Sequence, residues 1–287
     1  MTEVIEGYVT PTEKVLLDPR TATVGHGVFK PDAAGRYQVK GRVTYLHRRM
    51  AEVKAPVLID VGAHVGSYTL LAALHEGATV IAVEPNPEAC DVLRANVLLN
   101  DLFGRVSAFE VALSNVPGAV LPLLVPFRPD KSGYAHVQPH PSDGLVPAHL
   151  QHMTIKTTTV DTLVAGMELD RVDFIKIDVE GWEVFVLEGA EETLRRFQPG
   201  VLLEYFAPWT ARYKYNPREM LRLLARHGYT GAVELGPTDI YAYPPHRTPP
   251  EQSNVPPGGG DARRTQKFDL WLRTDFKRAM TNGTIIA

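Results

Sequence analysis

The segment from Val57 to Gly66 constrains this chain most, because it joins a strand pattern to an acidic residue and a glycine turn. Its first three residues are apolar and partly β-branched, which is typical of a strand buried on both faces of a parallel sheet. Asp60 and glycines at 62 and 66 follow, and then a helical pattern over residues 67–76 that ends at Gly77. This order places backbone N–H groups and a helix N-terminus at the carboxyl edge of the sheet, where open α/β sheets bind ligands.

The glycine spacing excludes two phosphate-binding motifs. A dinucleotide motif, G-x-G-x-x-G, requires glycine where this chain has His64 and Ser67, and a phosphate loop requires lysine directly after Gly66. Glu84 ends the next apolar run, where an acid is placed to accept hydrogen bonds from ribose hydroxyls. Asp60 can meet an ammonium group. A nucleoside with an amino-acid tail, such as S-adenosylmethionine, fits these features better than a pyrophosphate does.

Four motifs in this order resemble those of the FkbM-type S-adenosylmethionine-dependent methyltransferases. They are D-V-G-A-H-V-G-S-Y-T-L at 60–70, Glu84-Pro85-Asn86-Pro87 with Asn96 and Asn100 downstream, V-A-L-S at 111–114, and F-I-K-I-D-V-E-G-W-E at 174–183. The resemblance covers roughly residues 55 to 230, and the four motifs together are far more specific than a glycine turn alone. One position departs from the pattern, since the family usually has Asn where this chain has His64.

The resemblance implies a set of cofactor-binding residues. They are Asp60, Gly62, Gly66, Tyr68, Glu84, Asn86, Glu110, Ala112 and Asp178. In the family the edge near Glu110 contacts the adenine, and Glu110 would accept from its exocyclic amine; the alternative is an exposed acid at a strand end. Asn86 is also predicted to cap the helix that begins at Pro87.

Methyl transfer from a sulfonium needs aligned reactants and a group that accepts the acceptor's proton. Asp178 ends an apolar strand pattern at the carboxyl edge and is the first candidate for this base, although it can instead orient the acceptor or the methionine end. His64 is the second candidate because imidazole titrates near neutral pH; the alternative is a loop residue bonded to backbone. Glu180 and Glu204 lie at the same edge and are further candidates. No metal ligand is assigned.

Strand and helix patterns alternate from residue 57 to 230, and a last strand is predicted at 268–272. We therefore predict an α/β fold with an open, doubly wound, mostly parallel seven-stranded sheet, the Rossmann-like methyltransferase fold. Residues 1–54 are predicted to form an N-terminal cap segment and 55–287 the methyltransferase domain. Within it, 115–160 is predicted to be a β-ribbon and lid insertion, and the Pro- and Gly-rich stretch 244–267 a flexible loop.

The predicted lid carries His136, His140, His149 and His152, which raises the possibility of a metal site. Prolines at 139, 141 and 147 exclude a regular helical spacing of these histidines, and no cysteine or carboxylate cluster accompanies them. A mobile lid over the acceptor is therefore the preferred interpretation.

Composition limits the partners and the compartment. The net charge of -3 over 287 residues has no basic excess, which argues against a nucleic-acid substrate. No apolar run approaches the length of a membrane span, and the start of the chain lacks the pattern of a signal peptide. The single cysteine, Cys90, cannot pair within the chain, so a reducing cytoplasm is expected. A homo-oligomer is compatible with the sequence, which does not decide the oligomeric state.

The sequence favours O-methylation of a hydroxyl on a small molecule such as a sugar, a polyketide or another natural product. N- or C-methylation remains an alternative. A nicotinamide-dependent oxidoreductase would use the same architecture, but the missing glycines argue against it. A non-catalytic binding module would keep the glycine turn and would not need carboxylates at 178, 180 and 204.

Overall fold

A computed structural model describes residues 4–8, 14–24, 29–31, 37–39, 42–138 and 150–246. The strands are β1 (Ile5–Tyr8), β2 (Lys14–Leu17), β3 (Phe29–Pro31), β4 (Tyr37–Val39), β5 (Val57–Val61), β6 (Thr79–Val83), β7 (Val106–Phe109), β8 (Ala112–Leu113), β9 (Val120–Pro126), β10 (His136–Val137), β11 (Leu150–Thr158), β12 (Phe174–Ile177), β13 (Gly200–Glu204), β14 (Gly231–Glu234) and β15 (Asp239–Tyr243). The helices are α1 (Arg20–Val24), α2 (Arg42–Met50), α3 (Ser67–Ala73), α4 (Pro87–Leu99), α5 (Val160–Gly166), α6 (Glu183–Glu188), α7 (Glu191–Phe197), α8 (Ala207–Thr210) and α9 (Arg218–Arg226), with 3₁₀ turns at Pro129–Tyr134 and Ala211–Tyr213.

The central sheet has seven strands in the order β14-β15-β13-β12-β5-β6-β7. From β13 to β7 all neighbours are parallel, whereas β15 is antiparallel to both β13 and β14. The predicted fold is confirmed. The chain leaves β5 towards β6 and β7 and later returns on the other side of β5 as β12. Strands that depart in opposite directions leave a crevice at their carboxyl ends, and here that crevice lies between β5 and β12.

Two strands of this sheet were not predicted from sequence. β14 and β15 are short and form a hairpin that adds to β13. β14 contains a glycine and ends in an acid, so its pattern is weak and its pairing with β15 supplies the order. The strand predicted at 268–272 lies outside the described residues, as does the predicted flexible loop apart from 244–246.

Three element boundaries differ from the predicted ones. Helix α3 ends at Ala73, and Gly77 follows in a separate turn with a φ of +69°. The apolar run at 106–111 predicts the third strand of the central sheet, but β7 ends at Phe109, because the chain turns there into β8 of another sheet. The sequence also predicts Asp161 as the cap of the next helix, but Thr159 caps α5; the carboxylate of Asp161 instead accepts from backbone N–H groups at the start of α7.

The predicted β-ribbon is present as β9 and β11, which pair antiparallel from Val120–Lys156 to Pro126–Leu150. β10 pairs with β9, and β8 runs parallel to the end of β11, so that Ala112 faces Thr157. The ribbon therefore starts from and returns to one point beside the central sheet.

The N-terminal segment forms a second four-stranded sheet, β2-β1-β4-β3, followed by α2. Two side-chain amides, one on α4 and one at its C-terminal cap, attach this segment to the core. The side chain of Asn100 bonds the backbone N–H and carbonyl of Leu16, both at 2.7 Å. Asn96 accepts from the N–H of Asp18 at 2.6 Å and donates to the carbonyl of Val65 at 2.8 Å. The role of this segment as a cap stays a prediction. No helix among the described residues is long and apolar enough to cross a bilayer.

A buried ion pair joins β5 to β12. Asp60 and Lys176 are opposite each other in the register of these parallel strands, and their exposed fractions are 0% and 3%. Lys176 Nζ lies 3.2 Å from Asp60 Oδ1, and Thr69 Oγ1 donates to Asp60 Oδ2 at 2.6 Å. Nζ also donates to the carbonyls of Val61 and Gly62, at 3.1 and 2.6 Å. One cation thus connects the two central strands to the turn that follows β5.

We expect Lys176→Met to lower the free energy of unfolding by about 3–5 kcal/mol, because it leaves the Asp60 carboxylate buried without its cation. The double variant Asp60→Asn/Lys176→Met is expected to lose less than the sum of the two single changes, since the unpaired charge is gone. Urea denaturation measures both.

Lys14→Met is the matched control, because Lys14 pairs with Glu6 at the surface. This variant should change the free energy of unfolding by no more than about 1 kcal/mol. Strict additivity of the two buried changes would contradict the proposed coupling.

Candidate active site

The turn after β5 packs so closely that two of its positions require glycine. Gly62 has a φ of +71°, and a Cβ there would lie 2.0 Å from the carbonyl oxygen of Asp178. Gly66 has a φ of +93°, and its Cβ would lie 2.5 Å from Leu93 Cδ1. The N–H of Gly62 donates to the carbonyl of Val83 at 2.9 Å. The turn therefore touches the ends of both β6 and β12.

Glu84 follows β6 and is buried beside this turn, with 6% of its surface exposed. Its carboxylate accepts from the N–H of His64 and from the N–H of Asn86, both at 2.8 Å. Burial raises the pKa of Glu84 to about 7; the two N–H donors and Lys176 oppose that shift, and the charge of Asp60 adds to it. Each carboxylate oxygen still has a lone pair for a ligand donor.

Asn86 has the predicted capping role, since its Oδ1 accepts from the N–H of Glu88 at 3.2 Å. Its Nδ2 is buried and has no hydrogen-bond partner among the residues described. The side chain therefore caps α4 and keeps a donor available next to Glu84.

His64 joins the glycine turn to the ribbon. Its φ is +52°, and its Nε2 lies 2.9 Å from the hydroxyl of Ser132 in the 3₁₀ turn between β9 and β10. Ser132 is itself buried. The sequence contains no signal for this contact, because the two residues are 68 positions apart.

The loop after β12 is organised by Glu183, a residue to which the sequence analysis assigned no role. Glu183 is 1% exposed, and its Oε1 accepts from the N–H groups of Val179 and Gly181, both at 3.1 Å. Burial is the main cause that raises its pKa to about 7. Tyr215 donates to the carbonyl of Gly181 at 2.8 Å. An acid in the first helical turn that bonds N–H groups upstream resembles half of a capping box, which is the signal that could have identified it.

Three carboxylates converge at the carboxyl ends of β12 and β13. Oxygens of Asp178, Glu180 and Glu204 all lie within 4.8 Å of one another. Asp178 and Glu180 are partly exposed, whereas Glu204 is 8% exposed. Burial, together with the negative charges of Asp178 and Glu180, raises the pKa of Glu204 well above its usual range. This edge therefore holds a concentration of negative charge.

A cleft lies between the glycine turn and the loop after β12. Its volume is about 460 Å³, which includes the solvent-filled space at its open mouth. Gly62, Val83, Ala112, Asp178 and Glu180 line it, and residues 133–137 close it from the ribbon side. Trp182 also lines it, and the indole N–H of this buried side chain has no hydrogen-bond partner in the described part of the chain.

The sequence-predicted site residues do not all lie in this cleft. Gly62, Ala112, Asp178 and Glu180 line it. Asp60 is closed off by Lys176 and Thr69. Glu110 lies on the surface, with Oε2 3.2 Å from Arg94 Nη1.

The remaining predicted residues lie around the cleft rather than along it. His64 and Asn86 contact Glu84, and the ring of Tyr68 lies 5.1 Å from Lys176 Nζ. Gly66 packs against Leu93. The cofactor contacts assigned to all these residues stay predictions.

The histidines of the predicted lid are spread apart where they are described. His136 lines the cleft, and burial lowers its pKa, while His152 lies on β11. His140 and His149 lie outside the described residues, so the histidine-metal hypothesis stays untested.

Three characterised relatives are similar to this chain. The first is methyltransferase sdnD of Sordaria araneosa, 28% identical over 53% of this chain and 67% of its own length. The hexuronic acid methyltransferase AglP of Haloferax volcanii is 32% identical over 59% of this chain and 61% of its own length. The 31-O-demethyl-FK506 methyltransferase FkbM of Streptomyces tacrolimicus is 27% identical over 80% of this chain and 95% of its own length.

A solved methyltransferase FkbM from Methylobacillus flagellatus superposes with a TM-score of 0.43 at 16% identity, over 70% of this chain and 51% of that one. Residues 60–230 match the methyltransferase FkbM domain, a span that contains the glycine turn, Glu84 and the three converging carboxylates. The chain belongs to the FkbM family of methyltransferases.

Proposed function

We propose that this protein is an S-adenosylmethionine-dependent O-methyltransferase that acts on a hydroxyl of a small-molecule acceptor. The observation that carries the proposal is the cleft at the switch point between β5 and β12. Its floor is the Gly62 turn, Glu84 lies beside that turn, and Asp178 lines the cleft. A nucleoside site and a proton acceptor are thereby adjacent.

The cofactor's adenosine is proposed to lie along the glycine turn. Glu84 would accept from both ribose hydroxyls, and Asn86 Nδ2 would donate to one of them. The apolar lining near Val83 and Ala112 suits the adenine ring. Because Asp60 is fully buried, we infer that it acts on the cofactor through Lys176, which fixes the carbonyls of the turn.

In the proposed reaction the acceptor oxygen attacks the methyl carbon in line with the sulfur. The carbon–sulfur bond breaks as the oxygen–carbon bond forms, so the sulfonium becomes a neutral thioether, and Asp178 receives the hydroxyl proton. The protein contributes alignment and the proton acceptor, because the methyl group is already activated. His64 is the second candidate base, but its Nε2 is engaged with Ser132.

The preference for an oxygen acceptor draws support from the relatives. The Streptomyces tacrolimicus protein is named as a 31-O-demethyl-FK506 methyltransferase and AglP as a hexuronic acid methyltransferase. The family assignment favours methyl transfer over the nicotinamide-dependent alternative.

We expect Glu84→Ala to weaken binding of S-adenosylmethionine by roughly 2–4 kcal/mol, because two charge-assisted hydrogen bonds to ribose are lost. Isothermal titration measures the affinity, and circular dichroism checks that the fold is retained. Unchanged affinity would show that another group holds the ribose.

The raised pKa of Glu84 gives this affinity a pH dependence. In the folded free protein the carboxyl is half protonated near pH 7, so its raised pKa favours the folded state at low pH and this contribution is lost as the pH rises. The ionised carboxylate accepts hydrogen bonds from ribose more strongly than the protonated one does. The affinity for S-adenosylmethionine should therefore increase as the pH rises through about 7. Glu84→Gln should remove most of that dependence, and an equal slope in both proteins would contradict the assignment.

Asp178→Asn is expected to lower turnover by roughly two to four orders of magnitude while the fold and most cofactor affinity remain, since asparagine cannot take the proton. His64→Asn, which installs the residue usual in the family, is the comparison. If turnover falls only for His64→Asn, the histidine is the base. If Asp178→Asn abolishes cofactor binding instead, Asp178 is a ligand of the methionine end.

A further inference from the structure

The three carboxylates at the end of β12 and β13 have the spacing of ligands around one cation. Oxygens of Asp178, Glu180 and Glu204 lie within 4.8 Å of one another. Two oxygens on opposite sides of Mg²⁺ are about 4.2 Å apart, and those around Ca²⁺ about 4.6–5.2 Å. The observed limit of 4.8 Å is within the range for Ca²⁺, and a smaller ion such as Mg²⁺ requires the side chains to move slightly closer together.

A second observation, at Glu204, independently indicates that this arrangement binds a cation. Its side chain is more than nine-tenths buried, and its Oε2 has no hydrogen-bond partner among the described residues. The residue ends β13, directly beside β12, and is directed towards Asp178 and Glu180. A buried carboxylate oxygen without a donor is costly, and an oxygen-binding cation would satisfy it.

We propose that Asp178, Glu180 and Glu204 bind one divalent cation of the Mg²⁺, Mn²⁺ or Ca²⁺ class. Three carboxylate oxygens suit these hard cations, and no cysteine or histidine belongs to the set. The sequence placed these three acids at one edge of the sheet, but it did not predict that their oxygens meet; the register of β12 and β13 brings Glu204 next to the other two.

The role of the cation in the reaction rests on the proposed function, whereas its binding to the three carboxylates does not. Asp178 and Glu180 also line the cleft, so the ion would lie beside the acceptor and leave coordination positions open to a hydroxyl oxygen. Coordination lowers the pKa of such a hydroxyl. The hydroxyl proton would pass to the Asp178 oxygen that does not bind the ion.

Metal binding is tested on the full chain after treatment with EDTA and dialysis, without cofactor or acceptor. Titration with Mn²⁺, followed by calorimetry and electron paramagnetic resonance, is expected to give one site per chain from which Mg²⁺ or Ca²⁺ displaces Mn²⁺. Saturation with the ion should also raise the melting temperature. Absence of saturable binding up to roughly 10 mM, beyond the range of weak protein sites, would overturn the proposal.

Variants separate ligation from general negative charge. Glu204→Gln and Glu180→Gln should each weaken Mn²⁺ binding by about tenfold or more. Glu180 is partly exposed, so its variant retains the test if Glu204→Gln fails to fold. Asp239→Asn is the matched control, because Asp239 is opposite Glu204 in the register of β13 and β15 but is not one of the three. An equal loss of Mn²⁺ affinity in all three variants would show that the ion responds only to the general negative charge of this region, and it would contradict the proposed site.

Turnover gives a second and separate readout. If the ion binds the hydroxyl of the methyl acceptor, EDTA should abolish methyl transfer and added Mg²⁺ should restore it. If methyl transfer is unaffected by EDTA while Mn²⁺ still binds, the cation has no role in the reaction and only the site itself stands. If Mn²⁺ binds and no methyl transfer occurs with any acceptor, the proposed function fails while the metal site stands.

Discussion

The buried contact between Lys176 and Asp60 is the constraint on which the cleft depends. A charge pair inside a sheet rarely adds net stability, because desolvation offsets most of the attraction. It does fix position here, because the same ammonium group holds the Asp60 carboxylate, the carbonyl at the end of β5 and the first carbonyl of the following turn. The two strands whose ends form the cleft therefore keep one separation and one register.

A steric constraint complements this electrostatic one. The turn at Gly62 lies against the backbone of Asp178, and Glu183 holds the N–H groups of the loop that follows. Backbone contacts on both sides of Asp178 therefore help to fix its position. They bring Asp178 and Glu180 close together at this edge despite the repulsion between their negative charges.

The sequence predicted the features that depend on local pattern. The apolar runs that start at Val57, Thr79, Val106 and Val201 correctly identified β5, β6, β7 and β13, and Asn86 caps α4 as expected. It did not predict those that depend on contacts between distant residues. His64 meets Ser132 across 68 positions, and Lys176 reaches Asp60 only through strand register. Likewise Glu110 was assigned from the resemblance to the family, but the structure places it on the surface beside Arg94 of α4.

The ribbon leaves and rejoins the body of the protein at adjacent points. Ala112 and Leu113 pair with Thr157 and Thr158, so the segment between them is a closed excursion whose two ends are held side by side. Residues can be gained or lost within that excursion without displacing β12 or the glycine turn. The part of the cleft wall that the ribbon contributes can therefore change in sequence without displacing the glycine turn or β12. Replacement of this hairpin would reshape one side of the cleft and leave in place the strand ends that form the other side.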